Sequence, residues 1–193
     1  MNIGIYIYPE AEVLDFAGPF EVFSTARRLA CPDWQVYLIA QQLMSVSARG
    51  NFPVVPHFDI HSHPALDVLI VAGGVHTDEM YNPEVLAWLK AQNNQVPLMA
   101  AVCTGVFILA SAGLLTNQQV TTHWQDTAEL ASLFPALQVK QHVRWITDGK
   151  VTTSGGISAG IDMSLQLVSH LTSIETARQI ARQMEYQWVE QAD

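Results

Sequence analysis

Four short runs of the chain are apolar and uncharged: Ile3–Ile7, Trp34–Ala40, Val68–Ala72 and Leu98–Val102. Runs of this length, bounded by turn residues, predict strands buried on both faces of a parallel sheet. They place strands over residues 2–8, 34–40 and 67–74, and a fourth entered from Pro97. The stretch Pro9–Ala17 predicts a loop, after which Gly18-Pro19 opens a helix to Leu29 that Pro32 ends. Asn82-Pro83-Glu84 caps and starts a helix through Ala91, and Gln125–Leu133 predicts another that Pro135 closes. Ile157–Leu171 predicts an apolar helix and Ser173 opens an amphipathic one. Val120–Thr122 reads as a short strand. Two hairpins are expected, 43–47 with 52–55 around Arg49-Gly50-Asn51, and 142–147 with 151–153 around Asp148-Gly149. Strands alternating with helices predict a single-domain, three-layer α/β sandwich over residues 1–193, its mostly parallel central sheet flanked by helices.

The fourth run changes character at one residue. Up to Val102 it reads as buried strand; from Thr104 onward Val106, Phe107, Ala110 and Leu114 recur at helical spacing. Cys103 stands on the turn between them, at the carboxyl edge of the sheet where open α/β folds bind ligands. That is the geometry of a nucleophile elbow with sulfur in place of a hydroxyl. The start of the helix would favour the reactive thiolate. A small buried hydrophobe is the plain alternative.

Composition narrows the setting. Apolar residues make up 49% of the 193 and charged residues 14%, so an apolar interface, expected as a homodimer, is implied. Net charge is −9 with no basic run, which argues against nucleic acid as a partner. Cys31 and Cys103 are the only cysteines and suggest no pair, as in a reducing compartment. No apolar stretch is long enough for a membrane span, and residues 1–8 read as a strand rather than a signal peptide, so a cytoplasmic protein is expected.

Other residues gather on the same sheet edge. Gly73-Gly74 ends the preceding strand; the Gly74 N–H with that of Thr104 could form an oxyanion hole, or the pair could be an ordinary turn. Asp15 lies among Val13, Leu14, Phe16 and Ala17, where a carboxyl's pKa rises toward neutrality; capping the next helix is the alternative role. His123 and His76 are placed to line a pocket, and amides of Ser154-Gly155-Gly156 to contact a ligand or turn the chain. His57, His61 and His63 have metal-like spacing but no cysteine partner, so exposed loop histidines are expected and no metal. His142 and His170 read as structural, and Asp162, an acid in an apolar helix, needs a partner for which Arg144 is a candidate.

Taken together, Leu14–Phe23, Val71–Gly74, Ala101–Gly105, Thr122-His123-Trp124 and Thr153–Asp162 resemble the ThiJ/PfpI superfamily of class I glutamine-amidotransferase-like proteins. The match is most similar to its isonitrile hydratase branch, with Asp on the first loop and Thr after the cysteine. The resemblance implies a flavodoxin-like fold, no cofactor and a small-molecule substrate. It also implies Cys103 as nucleophile, Asp15 and Thr104 as the other catalytic residues, and Gly74 as a backbone contributor. Thr104 would hold Asp15 or the intermediate through its hydroxyl. The reaction implied is hydration of an isonitrile to an N-substituted formamide. The competing classes are a non-enzymatic small-molecule or redox-sensing domain and a glyoxalase- or hydrolase-like enzyme acting on small carbonyl compounds. The Thr-His-Trp and Gly-Ile-Asp motifs also occur in the sensory domain of AraC-type regulators, whose DNA-binding region has no residues left for it here.

Overall fold

Seven strands make the central sheet of the computed structural model: β1 (Asn2–Tyr6), β2 (Gln35–Ala40), β5 (Phe58–Asp59), β6 (Val68–Val71), β7 (Leu98–Val102), β10 (Trp145–Asp148) and β11 (Val151–Ser154). They lie in the order β10-β11-β7-β6-β1-β2-β5, parallel except for the β10–β11 hairpin. Residues 1–191 are described; the last two residues of the expected 1–193 domain lie outside them. The strands β6 and β11 are buried at every position, and β1 and β7 at all but their first. Continuous burial on both faces is why β1, β6 and β7 read as apolar runs rather than alternations, whereas β11 buries Thr152, Thr153 and Ser154.

Helices cover the sheet. α1 (Val13–Leu29), α5 (Ala159–Leu171) and α6 (Ile174–Gln183) pack on one another, and α2 (Pro83–Asn93) packs on α3 (Gly105–Ser111). This is the expected flavodoxin-like sandwich. Smaller pieces complete it: the hairpin of β3 (Val46–Ala48) and β4 (Phe52–Val54), the pair β8 (Gln119–Val120) and β9 (Gln138–Val139), and α4 (Thr127–Leu133). Among the described residues no helix is long and apolar enough to cross a membrane.

Several boundaries differ from the sequence reading. α1 begins at Val13, so residues 13–17 are helical rather than loop, and Pro19 sits inside the helix instead of opening it. A proline there has no N–H for the Asp15 carbonyl four residues back, at a usual cost of about 3 kcal/mol. Burial of Phe16, Pro19, Val22 and Phe23 on the inner face of α1 offsets it. The strand expected at 142–147 starts only at Trp145, because His142 takes a left-handed φ of 62°. His142 and His170 are exposed, not structural. β8 stops at Val120 because the Thr121 N–H goes to Thr153 Oγ1 (2.9 Å), which replaces a ladder bond. Phe58–Asp59 forms an edge strand inside the stretch expected as loop.

Candidate functional site

The register of the sheet sets the site. β1 pairs Tyr6 with Val71, and β6 pairs Val71 with Ala101. Two residues further on, Gly73 leaves β6 beside Cys103. Cys103 has φ of 55°, the strained left-handed turn expected of a nucleophile elbow. It is 7% exposed, at the floor of a cleft of about 450 Å³ lined by Glu12, Arg49, His76, His123, Asp126 and Ile157 among others.

Asp15 reaches the same point from the first turn of α1. A Cβ built on Gly73 would lie 2.7 Å from Asp15 Oδ2, from Cys103 Cβ and from Thr104 N, so the three residues converge on a place only glycine can occupy. The Gly73 N–H donates to Asp15 Oδ2 at 3.1 Å. Among the described residues Asp15 Oδ1 has no hydrogen-bond partner, although the carboxyl is completely buried. Burial above all, with Glu12 beside it, pushes the Asp15 carboxyl up to about 7. The Cys103 thiol and the Ile157 N–H approach closely enough to pull the other way, yet neither closes a bond onto Oδ1. Asp15 is therefore not a helix cap; Glu12 holds that position.

The thiol behaves differently from the sequence expectation. Burial first, and the Asp15 carboxylate second, push Cys103 well above the usual thiol range, and the Thr104 N–H only partly counters them. The helix start does not make a standing thiolate here: α3 is short, while the carboxylate is adjacent. At neutral pH the pair holds a neutral thiol against a titrating carboxyl. It can exchange one proton internally, which is how a nucleophile with an adjacent base is activated.

Two of the backbone groups expected to face substrate, the N–H of Gly74 and that of Gly155, are engaged elsewhere. Thr104 Oγ1 accepts the Gly74 N–H (2.9 Å) and donates to the Gly74 carbonyl (2.9 Å). Its hydroxyl thus clamps Gly74 rather than Asp15, and the Gly74 N–H is not free for an oxyanion hole. Gly155 donates its N–H to the Arg144 carbonyl at 2.9 Å, continuing the β10–β11 ladder, so it too offers no amide to a ligand. The neighbouring Gly156, expected with Ser154 and Gly155 only as part of one turn, is the one at the thiol. A Cβ there would lie 2.2 Å from His123 Cδ2 and 3.3 Å from Cys103 Sγ. The spacing of the paired glycines gave no sign of which one approaches sulfur.

His123 forms a wall of the cleft with its Nδ1 3.4 Å from Asp126 Oδ2, and His76 is buried with its ring 4.3 Å from that of Phe107. Asp126 was not anticipated, since only the fold of the 123–126 turn brings it back to the histidine. The other histidine group has separate partners: His57 Nδ1 accepts the Leu38 N–H, His61 meets Glu84 at 2.9 Å, and His63 Nε2 accepts from Trp88 Nε1 at 2.8 Å. Among the described residues no three His, Cys, Asp or Glu side chains group to hold a metal.

A model of the DJ-1/PfpI family matches residues 1–170. The chain is 34% identical over 187 residues to isonitrile hydratase of Pseudomonas putida, covering 96% of this chain and 78% of that protein. It is 27% identical over 187 residues to the HTH-type transcriptional regulator GbdR of Pseudomonas aeruginosa, spanning about half (51%) of that regulator's length and 96% of its own. Among solved structures, a ThiJ/PfpI family protein from Pseudomonas syringae superposes with a TM-score of 0.86 at 27% identity, over 96% of this chain and 74% of that one.

Proposed function

This chain belongs to the DJ-1/PfpI family, and from that premise we propose that it is a cysteine-dependent enzyme of the isonitrile hydratase type, adding water to the terminal carbon of an isonitrile to give an N-substituted formamide. One observation carries the reading: a fully buried carboxyl with an unpartnered oxygen stands against an elbow thiol, so a proton can pass between them away from bulk water. The 34% identity with a hydratase, over 96% of this chain, supports the substrate class. Thr104 follows the nucleophile where a peptidase of this superfamily would carry a histidine base, which speaks against peptide hydrolysis.

In this mechanism Asp15 takes the thiol proton as Cys103 Sγ forms a bond to the electrophilic carbon, then delivers it to that carbon. The product is a thioimidate, R–N=CH–S–Cys103. Asp15 next removes a proton from water as its oxygen adds to the same carbon, and that proton goes to nitrogen. The C–S bond then breaks while the hydroxyl becomes the formamide carbonyl, its proton returning through Asp15 to sulfur. One isonitrile and one water give one formamide, with no electrons transferred and no cofactor required. Thr104 and Gly73 act as positioning residues, one fixing the Gly74 peptide and the other the carboxyl. The proposal includes a homodimer; exposed Leu43, Met44, Phe52 and Val55 around the β3–β4 arm offer it an apolar face.

Purified, reduced protein incubated with a simple alkyl isonitrile and followed by NMR should accumulate the formamide, and Cys103→Ala should not. Absence of product while Cys103 titrates as a free thiol would overturn the assignment. It would leave the second reading, a ligand-sensing domain, which draws on the similarity to GbdR. A ligand that raises the melting temperature without being turned over would mark that case.

A further inference from the structure

Tyr8 lies two residues past β1, and the register that sets Tyr6 against Val71 carries Tyr8 alongside Gly73. It is 2% exposed, its ring stacked on Tyr6 with centroids 6.2 Å apart, and its hydroxyl has no hydrogen-bond partner among the described residues. The Thr104 hydroxyl lies beside that oxygen. Its bonds to the Gly74 peptide leave a lone pair free. Two orphaned buried atoms, the Tyr8 hydroxyl as donor and Asp15 Oδ1 as acceptor, therefore belong to one site. An unpaired buried hydroxyl costs free energy that a phenylalanine of the same shape would not.

We propose that Tyr8 is a positioning residue of the Cys103 site, its phenolic O–H supporting Thr104 and stabilising the negative charge that passes between Asp15 and Cys103. The inference rests on the proton-transfer pair of the proposed function but not on the isonitrile. The phenol stays neutral throughout: burial, then Asp15, Glu79 and Cys103, push it well above its usual range. Glu12 faces the pair from the N-cap of α1, Glu79 faces Tyr8 while accepting from Tyr6, and Asp126, His76 and His123 lie on the cleft side. Tyr8→Phe leaves all of them in place and removes only the O–H dipole.

The test uses alkylation of Cys103 by iodoacetamide in the full chain carrying Cys31→Ser, so it does not depend on the natural substrate. Rates are measured from about pH 5 to pH 10, across the range in which Asp15, the base that takes the thiol proton, titrates. Tyr8→Phe is expected to move the rising limb up by about half a pH unit, which lowers the rate roughly threefold on the acid side of that limb. Its melting temperature should be equal or slightly higher, because an unpaired hydroxyl is removed. Superimposable profiles would overturn the assignment. So would a lower melting temperature with an unmoved limb, which marks a role in packing alone. A failure of isonitrile hydration in the parent chain would leave the alkylation comparison intact.

Discussion

Asp15 and Asp162 are both completely buried, and each lies in the first turn of a helix. Their surroundings differ in one respect. Asp162 Oδ2 receives Arg144 Nε at 2.9 Å, and its Oδ1 accepts the Val189 N–H at 3.0 Å. Trp188 Nε1 adds a bond to the Asp162 carbonyl, so the pair ties the end of the chain to α5. Among the described residues Asp15 has a single backbone donor and no cation. Burial alone therefore does not make an acid reactive. A buried carboxyl with a counter-ion fastens structure, whereas one left short of partners keeps its proton into the neutral range and can hand it on.

The sharpest break of this comparison is to neutralise each acid in turn. Asp15→Asn should lower isonitrile turnover by about a thousandfold, the range for loss of a general base, with no loss of stability. The pH dependence of folding sharpens it further. The Asp15 carboxyl sits at about 7 when folded against 3.8 as a reference, so between those values the folded chain binds the extra proton. Stability should fall as pH rises through that window, by at most about 4 kcal/mol, and the penalty should be absent below it. Urea unfolding across the window checks the sign, and Asp15→Asn should flatten the slope. Asp162→Asn should instead cost about 3 kcal/mol of unfolding free energy and leave turnover within about twofold. The partial exposure of Arg144 keeps that cost at the low end.

Smaller effects separate the paired glycines and the two histidine groups. Gly156→Ala should reduce turnover roughly a hundredfold, because its methyl group would displace His123 and crowd the thiol. Gly155→Ala, with its nearest neighbour at 3.5 Å, should leave steady-state rates near those of the parent. His61→Ala should leave the urea unfolding midpoint unchanged, since its contact with Glu84 is exposed. Equal losses at Gly155 and Gly156 would show that the thiol is not where the elbow puts it.

Legibility followed the physics of each signal. The strands β1, β2, β6 and β7 and the turn at Cys103 were readable, because burial imposes apolar runs and an elbow needs a change of period within one residue; the two-residue edge strand β5 carried no such run. Asp15 was readable as an acid among hydrophobes, but its helix was not: Pro19 argued for a helix start, and only packing of the inner face of α1 overrides that local preference. The amide assignments at Gly74 and Gly155 failed for a related reason. A glycine pair shows that the backbone comes close to something, without saying which N–H is already taken.

By itself the sequence determined the layered α/β architecture, the residue at the elbow and the acid that faces it, since those depend on periodicity and on the chemistry of single side chains. Only the tertiary structure decided the sense in which the thiol titrates, the engagement of Thr104 with Gly74, and the presence of Tyr8 and Gly156 at the site. Each of these depends on distances between segments far apart in the chain. Desolvation and hydrogen-bond satisfaction belong to the assembled surroundings of a group, and no local pattern encodes them.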